Sequence, residues 1–274
     1  MRMINPNTSL YAVLGDPISQ SLSPVMHNSA FSHAGYNGIY LAFRVKEIGK
    51  AISGIKALGI KGAGITIPHK VKIIEFLDEI DDTAAKIGAV NTVINRQGKI
   101  TGYNFDSMGA VKAVREKTGI KNKSVAILGA GGAARAVGYG IVSEGGRLTI
   151  LNRTKETGEK LAADLGSEFC VPGDFKEIKC DILINTTPLG MKPNVDSIPV
   201  EKKYLNKGMI VMDIVYNPFK TRLLKVAQDL GCTTIDGASM FVFQGACQFE
   251  LWTGKKAPVD FMRKTVLEAL GCDS

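Results

Sequence analysis

The chain has 274 residues, 45% hydrophobic and 22% charged, the balance of a globular protein with room for two packed domains. Its formal charge of +8 is dispersed, with pairs such as Lys202-Lys203 and Lys255-Lys256 as the densest spots and aromatics at 7%; this disfavours a nucleic-acid groove and suits small anions. Five scattered cysteines without C-x-x-C spacing fit a reducing cytosol, and neither a signal peptide in residues 1–11 nor an apolar run of about 20 residues points to a membrane.

In chain order, residues 10–14 read as an opening strand closed by Gly15-Asp16-Pro17. Ser23 followed by Pro24 is a helix start signal, with Ser23 as the cap, and predicts a helix to about Gly35. A strand over 39–45, a helix over 47–58 stopped by Gly59 and a strand over 64–67 follow. Pro68 then opens a helix predicted over 69–80. Residues 90–94 and 100–103, joined by Arg96-Gln97-Gly98-Lys99, read as a hairpin, so the sheet is expected to be mixed. A helix over 106–117 carries the domain junction.

From Ser124 strand–helix alternation restarts. Strands are expected over 125–128, 147–151, 182–184, 209–214 and 233–235, with helices from Gly132 and over 155–165 and 221–230. Two helices, 240–252 and 259–270, end the chain without a following strand and should pack on the first domain. The fold class is therefore α/β. A mixed-sheet first domain, 1–105, is completed by residues 238–274, and a doubly wound Rossmann-type domain spans 106–237.

The sharpest local signal is Leu128-Gly129-Ala130-Gly131-Gly132-Ala133-Ala134. Gly129, Gly131 and Ala134 fit the G-x-G-x-x-G/A turn between a strand and a helix. Gly129 permits the tight turn, Gly131 leaves room for a pyrophosphate, and Ala134 lets the helix lie close on the strand. The helix N-terminus beyond directs N–H groups at the phosphates. About 20 residues on, an NAD site carries Asp or Glu; here Asn152-Arg153-Thr154 stand instead. Arg153 suits a 2′-phosphate, so the cofactor expected is NADP. The competing reading is a solvated Arg153 with Thr154 as a helix cap.

Polar groups in the first domain are candidates for a substrate groove. Ser21 and Ser23, beside a helix N-terminus, suit a carboxylate, although Ser23 reads equally as a plain cap. Thr66 and Lys70 bracket the strand–Pro–helix junction, where a cation in the first helical turn opposes the dipole. Asn91 and Asp106 stand at turns and have ordinary turn and capping readings.

Taken together, Gly15-Asp16-Pro17-Ile18-Ser19-Gln20-Ser21-Leu22-Ser23-Pro24, Ile65-Thr66-Ile67-Pro68-His69-Lys70, Gly88-Ala89-Val90-Asn91-Thr92 and Gly102-Tyr103-Asn104-Phe105-Asp106 resemble the shikimate dehydrogenase family. The glycine turn, Asn152-Arg153-Thr154, residues 185–191 and 213–218, Gly237-Ala238-Ser239-Met240 and Gln244 continue the match in order.

The resemblance implies an NADP-dependent oxidoreductase that reversibly reduces 3-dehydroshikimate to shikimate in aromatic amino acid biosynthesis. It implies Lys70 and Asp106 as the catalytic pair, Ser21, Ser23 and Tyr216 on the carboxylate, and Thr66, Asn91 and Gln244 on the ring hydroxyls. For the cofactor it implies Gly129, Ala130, Gly131, Gly132, Ala133, Asn152, Arg153, Thr154, Thr187, Gly237 and Met240. No metal is expected, since His27, His33 and His69 have no ligand spacing. The partners expected are the small-molecule substrate and a second copy in a homodimer, with no nucleic acid or membrane, in the cytoplasm. The sequence departs from the family's usual pattern at Gln20, Phe105, Ser107 and Thr157. The rival readings are a quinate/shikimate dehydrogenase with dual substrate or NAD use, and an NADP-binding metabolite sensor without turnover.

Overall fold

The computed structural model describes residues 4–173 and 180–272; residues 1–3 of the polar opening stretch lie outside these. By internal contacts the chain forms two units, Met1–Phe105 with Gln244–Ser274, and Asp106–Phe243. The return to the first unit thus falls at Gln244, inside a helix, rather than at 238.

The first unit holds a mixed six-stranded sheet in the order β2-β1-β3-β5-β6-β4. Its strands are β1 (Ser9–Gly15), β2 (Gly38–Arg44), β3 (Gly62–Ile65), β4 (Glu79–Ile80), β5 (Thr92–Arg96) and β6 (Lys99–Tyr103). β1 runs parallel to β2 and β3, whereas β5 is antiparallel to both β3 and β6. The hairpin is as expected, and Gln97 and Gly98 take left-handed φ values of 54° and 89° at its turn.

Helices α1 (Ser23–His33), α2 (Ile48–Leu58) and α3 (Asp82–Ile87) belong to this unit. On α2, Ile48, Ile52 and Ile55 form one buried stripe against Ala12, Leu14, Ala63 and Ile65 of the sheet. That spacing is the i, i+4, i+7 signature of an amphipathic helix. Gly59 ends it in the left-handed conformation at φ 65°, with its N–H bonded back into the last turn.

Two expectations here fail. The helix predicted over 69–80 is only a 3-10 helix, Lys72–Phe76, followed by the edge strand β4. The β4 pairing with β6 and the bond from the Ile100 N–H to Asp78 at 2.7 Å draw the chain into the sheet and override helical spacing. Ser23 is not the cap of α1 either: Leu22 holds that position, Ser23 is already helical, and no side chain caps the helix.

The second unit is a parallel six-stranded sheet ordered β12-β11-β10-β7-β8-β9, the doubly wound arrangement expected. Its strands are β7 (Ser124–Leu128), β8 (Arg147–Leu151), β9 (Glu168–Cys170), β10 (Ile182–Asn185), β11 (Ile210–Asp213) and β12 (Thr233–Ile235). Helices α4 (Asp106–Arg115), α5 (Gly132–Ser143), α6 (Lys155–Asp164) and α7 (Arg222–Asp229) accompany it. The central strands β7 and β10 are buried on both faces, so they read as continuous apolar runs. The strand β9 and the helix α3 carry little sequence signal and were not expected from it.

Helix α8 (Gly237–Thr253) runs across the division between the units, and α9 (Val259–Ala269) follows it in the first. In the first unit, α8 meets α1 where Gly245 faces Met26: a Cβ at Gly245 would lie 2.2 Å from the Met26 methyl. Trp252 closes this core, its indole N–H donating to the Val93 carbonyl at 3.1 Å. Around it pack Tyr11, His27 and Tyr40, with Phe31 behind them on Tyr11, His27 and Phe249, and His27 stacked on Tyr40 at 4.5 Å between ring centroids.

Candidate functional site

Register decides what each sheet presents at its working edge. In the first unit Val13 pairs with Gly64, Gly64 with Thr92, and Thr92 with Tyr103. One row therefore crosses four strands, and the residues just beyond it leave the sheet on the same side. These are the loop carrying Ser21 and Ser23 after β1, Thr66 and Lys70 after β3, and Asn91 before β5. Ligands in α/β folds bind at such strand ends.

Gly15 sits tightly under Thr66, where a Cβ would come within 2.3 Å of the Thr66 methyl, so only glycine lets the two loops meet. The Thr66 N–H donates to the Leu14 carbonyl at 3.0 Å, and the Asp16 N–H to the Ile67 carbonyl at 2.9 Å. Lys70 is half-buried in a turn ahead of the 3-10 helix. No α-helix begins there, so the expected opposition between its charge and a helix dipole does not arise. Its carbonyl accepts the Val90 N–H at 2.7 Å, which ties the Lys70 turn to the Asn91 turn. Ser21 Oγ accepts from the Ser23 N–H at 3.3 Å, and Ser23 is buried.

Asn91 is 2% exposed. Its Oδ1 accepts from the Thr92 hydroxyl at 2.7 Å and the Phe105 N–H at 2.9 Å, and its Nδ2 lies 3.4 Å from Gln244 Oε1. Its bland reading as a turn residue therefore gives way to a fully engaged side chain. Gln244, 8% exposed on α8, is placed in this unit beside it.

The second unit repeats the logic. Asp213, Asn185, Leu128, Leu151 and Cys170 form one row across five strands. Past it come the glycine turn, Asn152-Arg153-Thr154, Thr187, Tyr216 and the start of α8. Gly129 has φ 113°, and a Cβ there would meet Thr186 Oγ1 at 2.7 Å. Gly131 differs: its φ is −85° and a Cβ would meet nothing within 4 Å. Packing thus explains Gly129, whereas open space over Gly131, with Gly132 and Ala133 opening α5 beside it, fits a bound pyrophosphate. Ala134 is fully buried against the sheet.

At the end of β8, Asn152 Nδ2 donates to the Thr154 carbonyl at 2.8 Å and to the Thr157 hydroxyl at 2.8 Å. Thr157 thus pins the turn from inside. Arg153 is exposed and has no ion-pair partner among the described residues, which suits it to an incoming phosphate. Lys155 pairs instead with Glu159 at 3.7 Å. Thr154 holds the cap position of α6, as the competing reading had it, but its side chain makes no capping bond.

Thr187 is held by Asn185, whose Oδ1 accepts both its N–H and its hydroxyl at 3.0 and 2.7 Å. Tyr216 is half-buried and stacks on Phe241 at 4.4 Å. Gly237 has a packing reason, since a Cβ would lie 2.6 Å from the Ile214 and Val215 carbonyls. Met240 is buried in the apolar core of the unit. Asp106 is the first residue of α4 and is 5% exposed.

Thr221 and Gln248 carry no signal in the sequence, and Asn185, Asp213, Thr92 and His27, which the matched motifs and the histidine count include, receive no role from it; all six are buried polar groups. Among the described residues no helix is long and apolar enough to cross a membrane, and no cluster of three His, Cys, Asp or Glu could hold a metal ion.

Comparison with known proteins gives the family. Residues 13–93 match the family model for the shikimate dehydrogenase substrate binding domain, and residues 237–267 that for the shikimate 5'-dehydrogenase C-terminal domain. A shikimate dehydrogenase (NADP(+)) from Pyrococcus furiosus is 43% identical over 272 residues, 97% of each chain. Among solved structures, a shikimate dehydrogenase in complex with NADP+ superposes with a TM-score of 0.93, at 41% identity and 98% coverage of both chains. The Thermus thermophilus enzyme in complex with NADP(H) and shikimate gives a TM-score of 0.89 at 30% identity, covering 96% of this chain and all of that one. The chain belongs to the shikimate dehydrogenase family.

Proposed function

We propose that this protein is an NADP-dependent oxidoreductase that reversibly reduces 3-dehydroshikimate to shikimate in the shikimate pathway. The observation that carries the cofactor choice is local. A glycine turn between β7 and α5 is followed, at the end of β8, by Arg153 where an NAD site would present a carboxylate.

NADPH, when bound, supplies the hydride that reduces the ketone carbon. Lys70 presents its ammonium to the oxygen on which negative charge grows, and passes it a proton from Nζ. Asp106 orients that ammonium and accepts a hydrogen bond from the neighbouring hydroxyl. The Ser21 and Ser23 hydroxyls, with Tyr216, donate to the substrate carboxylate; Thr66, Asn91 and Gln244 hold the ring hydroxyls. The guanidinium of Arg153 meets the 2′-phosphate, Gly131 leaves clearance for the pyrophosphate, and Thr187 lines the cofactor edge.

What supports these roles is the common edge on which each set emerges, together with the burial of Asn91, Gln244 and Asp106. We place the enzyme in the cytosol, which its five free cysteines support. The test is a spectrophotometric assay of shikimate and quinate, each with NADP and with NAD. Turnover of shikimate with NADP well above the other three combinations is expected. Preference for quinate with NAD would overturn the assignment, and absence of turnover with all four would leave the sensor reading.

A further inference from the structure

We propose that Thr92, Gln248 and His27 act as positioning residues, a one-way hydrogen-bonded relay that locks the orientation of the Asn91 and Gln244 amides. The inference rests on the proposed shikimate dehydrogenase reading, in which Asn91 and Gln244 hold ring hydroxyls.

The direction of the relay follows from donor chemistry. Gln248 Nε2 can only donate, and it does so to Thr92 Oγ1 at 2.9 Å. Gln248 Oε1 therefore faces His27 Nε2 at 3.2 Å and must accept, which assigns the His27 proton to Nε2. The Thr92 hydroxyl, having accepted from Gln248, donates to Asn91 Oδ1 at 2.7 Å. The Phe105 N–H fills the second acceptor direction of that oxygen at 2.9 Å. Rotating the Asn91 amide would face its NH2 against the Phe105 N–H, which can only donate, so the orientation is fixed. Asn91 Nδ2 then points to Gln244 Oε1 at 3.4 Å, so the Gln244 amide turns its oxygen to Asn91.

Every member is buried: His27 0%, Gln248 3%, Thr92 0%, Asn91 2% and Gln244 8% exposed. A buried chain with all bonds in one sense polarises each bond by the next. The far end is consistent with this. His27 Nδ1 has no hydrogen-bond partner among the described residues, and burial lowers the imidazole pKa to about 4, so the ring stays a neutral Nε2–H donor. At the near end the relay fixes which way the Asn91 and Gln244 amides are turned, and with it the pattern of donors and acceptors that a ring hydroxyl meets. The relay thereby sets the polarity of the ring-hydroxyl subsite from residues up to 221 positions apart in sequence.

The experiment is steady-state kinetics of the full chain with Thr92→Val, Thr92→Ser and Gln248→Met, alongside thermal unfolding. Thr92→Val should raise KM for shikimate about 10-fold with kcat changed by less than about 3-fold and KM for NADP unchanged. Thr92→Ser should restore KM, because it returns the hydroxyl. Gln248→Met should raise KM for shikimate about 3-fold, and it keeps the test open if Thr92→Val does not fold. A Thr92→Val or Gln248→Met enzyme with wild-type KM and only a lower Tm overturns the relay, as does failure of serine to rescue. Wild-type protein that turns over no shikimate overturns the parent reading instead, and the relay falls with it.

Discussion

Asn185 and Asp213 stand paired at the ends of β10 and β11, with Asn185 Nδ2 donating to Asp213 Oδ1 across 2.9 Å. The same carboxylate accepts from the Val215 N–H at 3.1 Å and the Thr221 hydroxyl at 2.7 Å, so one buried acid ties three segments of the second unit. Burial outweighs these donors and pushes its pKa up from 3.8 to about 6. The folded state then holds the proton more tightly than the unfolded chain. The stability this adds is complete below about pH 3.8, is lost as pH rises through about 6, and amounts to about 3 kcal/mol. Urea unfolding of Asp213→Ala should show that slope removed, and a loss of about 3 kcal/mol at pH 7 from the stranded donors.

The two glycines of the turn should separate packing from ligand clearance. Gly129→Ala forces a left-handed residue against Thr186 Oγ1, and a loss of about 1–3 kcal/mol of stability is expected. Gly131→Ala meets open space at an ordinary φ, so its Tm should stay within a degree or two while NADPH affinity, followed by nicotinamide fluorescence, falls about 10-fold or more. Equal Tm losses in both would remove the case for a pyrophosphate over Gly131.

Replacing Lys70 by Ala should lower turnover by roughly 10²–10⁴-fold while NADP still binds. Calorimetric titration of cofactor into the variant, run beside the rate assay, distinguishes a chemical role from collapse of the fold. Turnover at the wild-type rate would remove Lys70 from the reaction.

For Arg153→Ala the expected loss is about 1.5–3 kcal/mol in NADP binding and little in NAD binding. Thr157→Val, which removes one of the two acceptors of the Asn152 amide without touching Arg153, should weaken NADP by a smaller factor. Identical losses for both cofactors in Arg153→Ala would show that it does not meet the 2′-phosphate.

His27 gives a pH dependence of the opposite sign. Its pKa falls from 6.5 to about 4 through burial, against a smaller upward pull from Gln248. The contribution to stability is present above about pH 6.5 and is lost as pH falls through about 4, about 3 kcal/mol in all. Unfolding midpoints of wild type and His27→Gln across pH 4–7 should converge at acid pH, because the variant has nothing to protonate. Parallel curves would assign the acid sensitivity elsewhere.

Much of this site was legible because its signals are local. A strand end followed within five residues by a glycine or a cation is a local signal, which is why Gly129, Arg153 and Lys70 stand out. The helix expected over 69–80 fails for a non-local reason: pairing of Glu79 and Ile80 with β6 is worth more than the helical spacing of Ile73, Ile74 and Leu77. Ser23 misleads in another way, since serine before proline marks a cap statistically while the loop geometry here moves the cap to Leu22. The buried polar partners were illegible. Gln248 and Thr92 lie 156 residues apart, and only the packing of α8 on β5 brings them together.

The first unit is not contiguous in the chain: Gln244–Ser274 supply Gln248 and Trp252, without which the β1–β3–β5 sheet lacks its cover. On the ribosome, residues 106–243 are complete and able to close while the earlier-made sheet still waits for a helix not yet translated. A stop codon in the final exposed turn would therefore be tolerated, whereas one before Trp252 would leave the amino-terminal strands bare to chaperones and proteases, even though every one of them had been synthesised.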